Sequence, residues 1–76
     1  MSAERKRSLS IAGHRTSVSL EEPFWEALKE IAVSDGITVA ALIAAVDDRR
    51  DGVNLSSALR LHVLAHYRER AARAPG

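Results

Sequence analysis

The chain has 76 residues, of which 46% are hydrophobic and 28% are charged, a composition typical of globular rather than disordered proteins. It contains no cysteine, which excludes disulfides and thiolate zinc sites. A domain this small buries only about 60% of the surface that its unfolded chain exposes, so we expect a second chain to stabilise it. Because few residues suited to catalysis are present, we expect neither an enzyme nor a protein that holds a cofactor or metal.

The formal net charge is only +1, but the charges are unevenly distributed. Residues 1–19 and residues 54–76 each carry four basic side chains against one acidic side chain, whereas residues 20–36 carry five acidic side chains against one lysine. Basic ends can meet phosphate, and an acidic helix face usually meets water. No segment suits a signal peptide or a membrane span, so we expect a cytoplasmic protein that does not bind membranes.

The first predicted element is a strand. Residues 1–12 are predicted to form a flexible basic arm, and Gly13 then permits a turn. Residues 14–20 alternate between two faces, which predicts a short, half-buried strand. One face carries Thr16, Val18 and Leu20, and the other carries Arg15, Ser17 and Ser19.

Three helices are predicted to follow. The first begins near Pro23, carries apolar residues at helical spacing and ends at Gly36. The second begins at Thr38 as N-cap and ends in a charged loop. The third runs from about Asn54, with Asn54 or Ser56 as its cap, to residue 73, and it is apolar around most of its circumference.

The predicted fold is mainly α with one short strand per chain. A single strand leaves its backbone groups unpaired, so its simplest partner is the same strand of a second chain. The two strands would form an antiparallel ribbon within an intertwined homodimer. The residues predicted for the dimer core are Val18, Leu20, Phe24, Leu28, Ile31, Leu42, Ile43 and Val46.

Two sequence runs support a family resemblance: Gly-His-Arg-Thr-Ser-Val-Ser-Leu-Glu at residues 13–21, and Asn-Leu-Ser-Ser-Ala-Leu-Arg at residues 54–60. With the acidic-proline start of the first helix and the Gly-Ile-Thr start of the second, the chain resembles the ribbon-helix-helix family of DNA-binding proteins, in a bacterial branch with an extra C-terminal helix. The resemblance implies a ribbon-helix-helix core over residues 13–53, an additional helix over residues 54–73 and a tail over residues 74–76.

The resemblance also implies a function. It implies a homodimeric transcriptional regulator, a repressor, that inserts its ribbon into the major groove of double-stranded DNA and is nucleoid-associated when bound. The residues implied to contact base edges are Arg15, Ser17 and Ser19. The residues implied to contact phosphate are Thr38, Val39 and Ala40 at the start of the second helix, and Arg5, Lys6 and Arg7 in the arm.

Other hypotheses remain open at this point. Residues 54–73 could dock a partner protein, as in an antitoxin-type module. His62 and His66 are spaced to bind a metal in a metal-responsive repressor, but they lack a third ligand unless a partner chain supplies one. Trp25 packs either against the third helix or a partner chain, or it is an exposed docking residue. Arg49 and Arg50 belong to a solvated loop, or they touch a flanking phosphate.

Overall fold

The computed structural model describes residues 4–11 and 13–74. Two strands are followed by three helices, and the strands form an antiparallel two-stranded sheet. The elements are β1 (Glu4–Ile11), β2 (His14–Glu21), α1 (Glu22–Asp35), α2 (Val39–Arg49) and α3 (Leu55–Arg73).

Strand β1 corrects the sequence-based prediction. The prediction of a flexible arm over residues 1–12 is wrong for the described residues Glu4–Ile11, while residues 1–3 and 12 lie outside the described residues. β1 pairs with β2 of the same chain, so it takes the place predicted for the strand of a second chain. A two-residue connection between Ile11 and His14 makes this pairing local, and Gly13 has the positive φ of +83° that such tight hairpins require.

The helix ends confirm the predicted caps. Gly36 ends α1 in the left-handed conformation, with a φ of +69°. The hydroxyl of Thr38 accepts a hydrogen bond from the amide of Ala41 at 3.0 Å, at the start of α2. At the start of α3, the side-chain oxygen of Asn54 accepts one from the amide of Ser57 at 3.2 Å. Local side-chain chemistry therefore decides where these helices begin and end.

One hydrophobic core lies between the hairpin and the helices. Seven of the eight residues predicted for a dimer core are already buried within one chain, and only Phe24 is half-buried at the edge. Trp25 instead takes the buried position at the start of α1, with 2% of its surface exposed. The core residues are Ile11, Val18, Leu20, Trp25, Leu28, Ile31, Ala32, Leu42, Ile43, Val46, Leu59 and Val63.

Helix α3 covers this core with one side only. Leu59 and Val63 are buried against the other elements. Leu61 and Leu64 point away from the core and are 59% and 52% exposed. The apolar circumference predicted for this helix is therefore covered in part by the chain itself. None of the helices in the described residues is long and apolar enough to cross a membrane.

Candidate nucleic-acid interface

The hairpin has one apolar and one polar face. Residues that lie directly opposite each other in an antiparallel pair share a face, and the faces alternate along each strand. Val18 and Leu20 point into the core and are fully buried. The other side carries four cross-strand pairs: the acidic pair of Glu4 with Glu21 at the open end, and three further pairs that are here called the polar face. These three pairs are Lys6 with Ser19, Ser8 with Ser17, and Ser10 with Arg15.

The polar face is exposed and carries positive charge. All of its residues are exposed except Ser19, which is half-buried. Within the described part of the chain, no carboxylate lies at ion-pair distance from Lys6 or Arg15. The predicted base-contacting residues Arg15, Ser17 and Ser19 thus lie together on one face of the hairpin, with Arg15 and Ser17 exposed and Ser19 half-buried.

Helix α3 occupies part of the edge of β2. The backbone amide of Ser19 donates a hydrogen bond to the hydroxyl of Ser56 at 3.2 Å. This amide therefore points away from β1, toward the edge where an additional strand would pair. Strand pairing with a second chain at Ser19 would have to displace the start of α3.

Arg60 binds both acidic residues at the open end of the hairpin. Glu4 and Glu21 lie directly opposite each other, and Arg60 donates to both carboxylates at 3.0 Å. A backbone hydrogen bond and the Arg60 guanidinium lower the pKa of Glu21, and the hydrogen bond to Glu21 raises the pKa of Arg60. The guanidinium also lies 5.8 Å from the ring centre of Phe24. The two acids are thus paired at one end of the ribbon.

The basic residues of β1 are divided between the two faces. The guanidinium of Arg7 lies 4.9 Å from the ring centre of Trp25 and 3.4 Å from the carboxylate of Glu22. Arg5 lies 3.7 Å from the same carboxylate. Lys6 alone lies on the polar face. The three residues therefore do not form one cluster, and their contact with phosphate stays a prediction.

The start of α2 forms a separate element of the predicted interface. Thr38 and Ala40 are exposed, and Val39 is half-buried. The amide of Ala41 donates a hydrogen bond to the hydroxyl of Thr38, whereas the amides of Val39 and Ala40 make no hydrogen bond among the described residues. Unpaired amides and the helix dipole suit an anion at this position. No hydrogen bond joins this helix start to the polar face within residues 4–11 and 13–74.

Comparison with known proteins agrees with this architecture. The family described as ribbon-helix-helix domain matches residues 4–67, from the start of β1 into α3. The chain belongs to the ribbon-helix-helix family. The solved structure of an uncharacterized protein from Bordetella pertussis Tohama I is similar, with 36% sequence identity and a TM-score of 0.76. The similarity covers 97% of this chain and 64% of that chain. No curated protein gives a significant match.

The sequence analysis did not predict the half of the polar face that β1 supplies. Ser8 and Ser10 were not predicted to take part, and Lys6 was assigned to a flexible arm. The signal was present as a second period-two alternation immediately before Gly13. The alternation places Lys6, Ser8 and Ser10 on one face and Arg7, Leu9 and Ile11 on the other.

The two histidines of α3 are not joined by further metal ligands within the described part of the chain. No group of three or more potential ligands is found in the described residues. His62 and His66 are both half-buried. Burial lowers the pKa of His62, electrostatic interactions with Arg49 and His66 lower it further, and Asp35 opposes this shift. The lowered pKa of His62 fits its half-buried position on α3.

Proposed function

We propose that this ribbon-helix-helix protein is a homodimeric DNA-binding regulator that inserts the β1–β2 hairpin into the major groove. The observation that carries the proposal is the exposed polar face, which combines short serine side chains with two basic side chains that have no carboxylate partner within residues 4–11 and 13–74. The major groove admits a two-stranded ribbon, and short side chains allow close approach to the base edges. The family match supports the same function.

Each part of the interface has a proposed role. Arg15 donates two hydrogen bonds to O6 and N7 of guanine, and Ser17 and Ser19 contact neighbouring bases less selectively. The amides of Val39 and Ala40 hold a backbone phosphate, and Thr38 orders that helix start. Phosphate contacts would set the position of the ribbon, whereas base contacts would set the sequence preference.

A homodimer would read two related half-sites. Two-fold symmetry of a protein is matched by two-fold symmetry of its operator, with half-sites separated by a whole number of helical turns. Occupation of such a site would exclude polymerase, so we propose repression as the regulatory outcome, exerted in the cytoplasm at the nucleoid.

Selection of duplexes from a randomised DNA pool tests the proposal. The test variant combines Arg15→Ala, Ser17→Ala and Ser19→Ala, and the control combines Arg68→Ala with Ser34→Ala, which alters the same residue types on exposed helix surfaces. We expect the wild type and the control to enrich a two-fold-related site and the triple variant to lose it. Absence of enrichment by folded wild-type dimers, or equal enrichment by the triple variant, would overturn the proposal.

A second candidate function is an antitoxin-type interaction module. The specific observation in its favour is the exposure of Leu61 and Leu64 on the outer side of α3. Exposed leucines on one helix face can dock a partner protein. A toxin gene beside the coding gene would favour this function. Burial of both leucines within the homodimer would count against it, because no apolar surface of α3 would remain for a partner.

A further inference from the structure

We propose that Lys6 is a second base-reading residue, so that each hairpin recognises two guanines about four base pairs apart. The inference rests on the proposed DNA-binding function and adds a ligand spacing to it. It follows from the pairing of β1 with β2, which places a lysine from one strand and an arginine from the other on a single face.

The register determines the spacing. Arg15 lies in the row that contains Ser10, and Lys6 lies in the row that contains Ser19. These rows are four residues apart along β2, which is about 14 Å at about 3.4 Å per residue. B-DNA advances about 3.4 Å per base pair, so a ribbon that follows the groove would present the two charges about four base pairs apart.

The row between the two charges is suited to close approach. It contains only Ser8 and Ser17, which are exposed and short. Small hydroxyl side chains do not hold the ribbon away from the base edges, and they can donate to or accept from any base. The polar face therefore presents two long cationic side chains, Lys6 and Arg15, which are diagonally opposite each other. The row between them carries only short polar side chains.

Lys6 is the basic residue of β1 that remains free to reach DNA from this face. Arg5 and Arg7 point to the opposite face, where both lie beside the Glu22 carboxylate. The acids nearest to the Lys6 row, Glu4 and Glu21, are paired with Arg60. The Arg60 guanidinium offsets one of their two negative charges, and among the described residues neither carboxylate lies at ion-pair distance from the Lys6 ammonium.

Guanine is the base that suits a lysine. Its O6 and N7 atoms are adjacent acceptors in the major groove, and both arginine and lysine donate to them. A lysine can also contact phosphate, and the two roles differ in their measurable effects. Loss of a base contact relaxes the preference at one position, whereas loss of a phosphate contact weakens all duplexes equally and reduces the salt dependence.

The experiment compares site preferences of Lys6→Gln, Arg15→Gln and the matched control Lys29→Gln, whose lysine is exposed on α1. We expect the wild type and the control to prefer guanine at two positions about four base pairs apart. Lys6→Gln should reduce the preference for guanine at one of these positions on the order of 10-fold, and Arg15→Gln should reduce it at the other. Lys6→Arg should keep the preference for guanine at the position that Lys6→Gln affects. This result would show that residue 6 can be substituted without loss of DNA binding.

The outcomes separate the inference from the proposed function. If Lys6→Gln weakens every duplex equally or changes nothing, while Arg15→Gln still relaxes one position, Lys6 does not read a base and the inference fails alone. Two guanines at another spacing would overturn the ribbon alignment. If the folded wild type shows no sequence preference, the proposed function fails and the inference fails with it.

Discussion

Arg60 of α3 donates a hydrogen bond from its Nε to Oε1 of Glu21 at 3.0 Å, across 39 positions of sequence. The same guanidinium reaches Glu4, so one side chain joins the third helix to both strands. Because Glu4 and Glu21 are directly opposite, their like charges would repel each other without this arginine. Helix α3 therefore supports the open end of the ribbon as well as covering the core.

We expect Arg60→Gln to lower the thermal midpoint more than Arg68→Gln does. The first change leaves two opposed carboxylates without their cation, whereas Arg68 is an exposed arginine of the same helix and has no ion pair among the described residues. Thermal unfolding followed by circular dichroism measures both midpoints. Equal midpoints would show that the Arg60 contacts contribute no stability beyond that of a surface arginine.

The hydrogen bond between Ser19 and Ser56 leads to a prediction about the edge of β2. Ser56→Ala removes the acceptor for the Ser19 amide, so we expect faster hydrogen exchange at that amide and a destabilisation of about 1 kcal/mol. Ser57→Ala is the control, because no side-chain hydrogen bond of Ser57 is present in the described residues. Unchanged exchange at Ser19 in the Ser56→Ala protein would contradict the contact.

Trp25 is expected to be the most sensitive core position. It is the only tryptophan, it is 2% exposed, and its indole Nε1 has no hydrogen-bond partner among the described residues. Trp25→Ala should cost about 3–5 kcal/mol, because it leaves a cavity beneath Arg7. Trp25→Phe should cost less, since it retains an aromatic ring and removes the unpaired donor.

Urea denaturation followed by circular dichroism measures these costs without relying on tryptophan fluorescence. Val33→Ala provides a control on the same helix, because Val33 is 81% exposed, and its change should stay within about 0.5 kcal/mol. A cost for Trp25→Ala as small as that of the control would show that the indole is not part of the core.

His62 should make stability depend on pH. Burial lowers its pKa below the ordinary value of 6.5, so the unfolded chain binds a proton at a higher pH than the folded chain. Stability should therefore fall as the pH drops below 6.5, until the folded histidine is protonated as well. Urea midpoints across this range should vary less in His62→Gln than in the control His14→Gln, which alters an exposed histidine. The same pH dependence in both variants would exclude His62 as the cause.

The sequence by itself determined the features that depend on neighbouring residues. Thr38 and Asn54 cap the helices that follow them, and Gly36 ends α1, because each acts on backbone groups within a few positions. The period-two alternation of β2 likewise predicted which of its side chains enter the core and which form the polar face.

Only the tertiary structure decided what those elements meet. The pairing of β1 with β2 determined that Lys6 joins Arg15 on one face while Arg7 covers Trp25 on the other. Packing also placed Trp25 rather than Phe24 in the core. The contact of Arg60 with Glu21 joins residues 39 positions apart, and no local pattern marks either residue as a partner of the other. Such contacts form only when the chain has folded, because burial and strand pairing bring distant residues together.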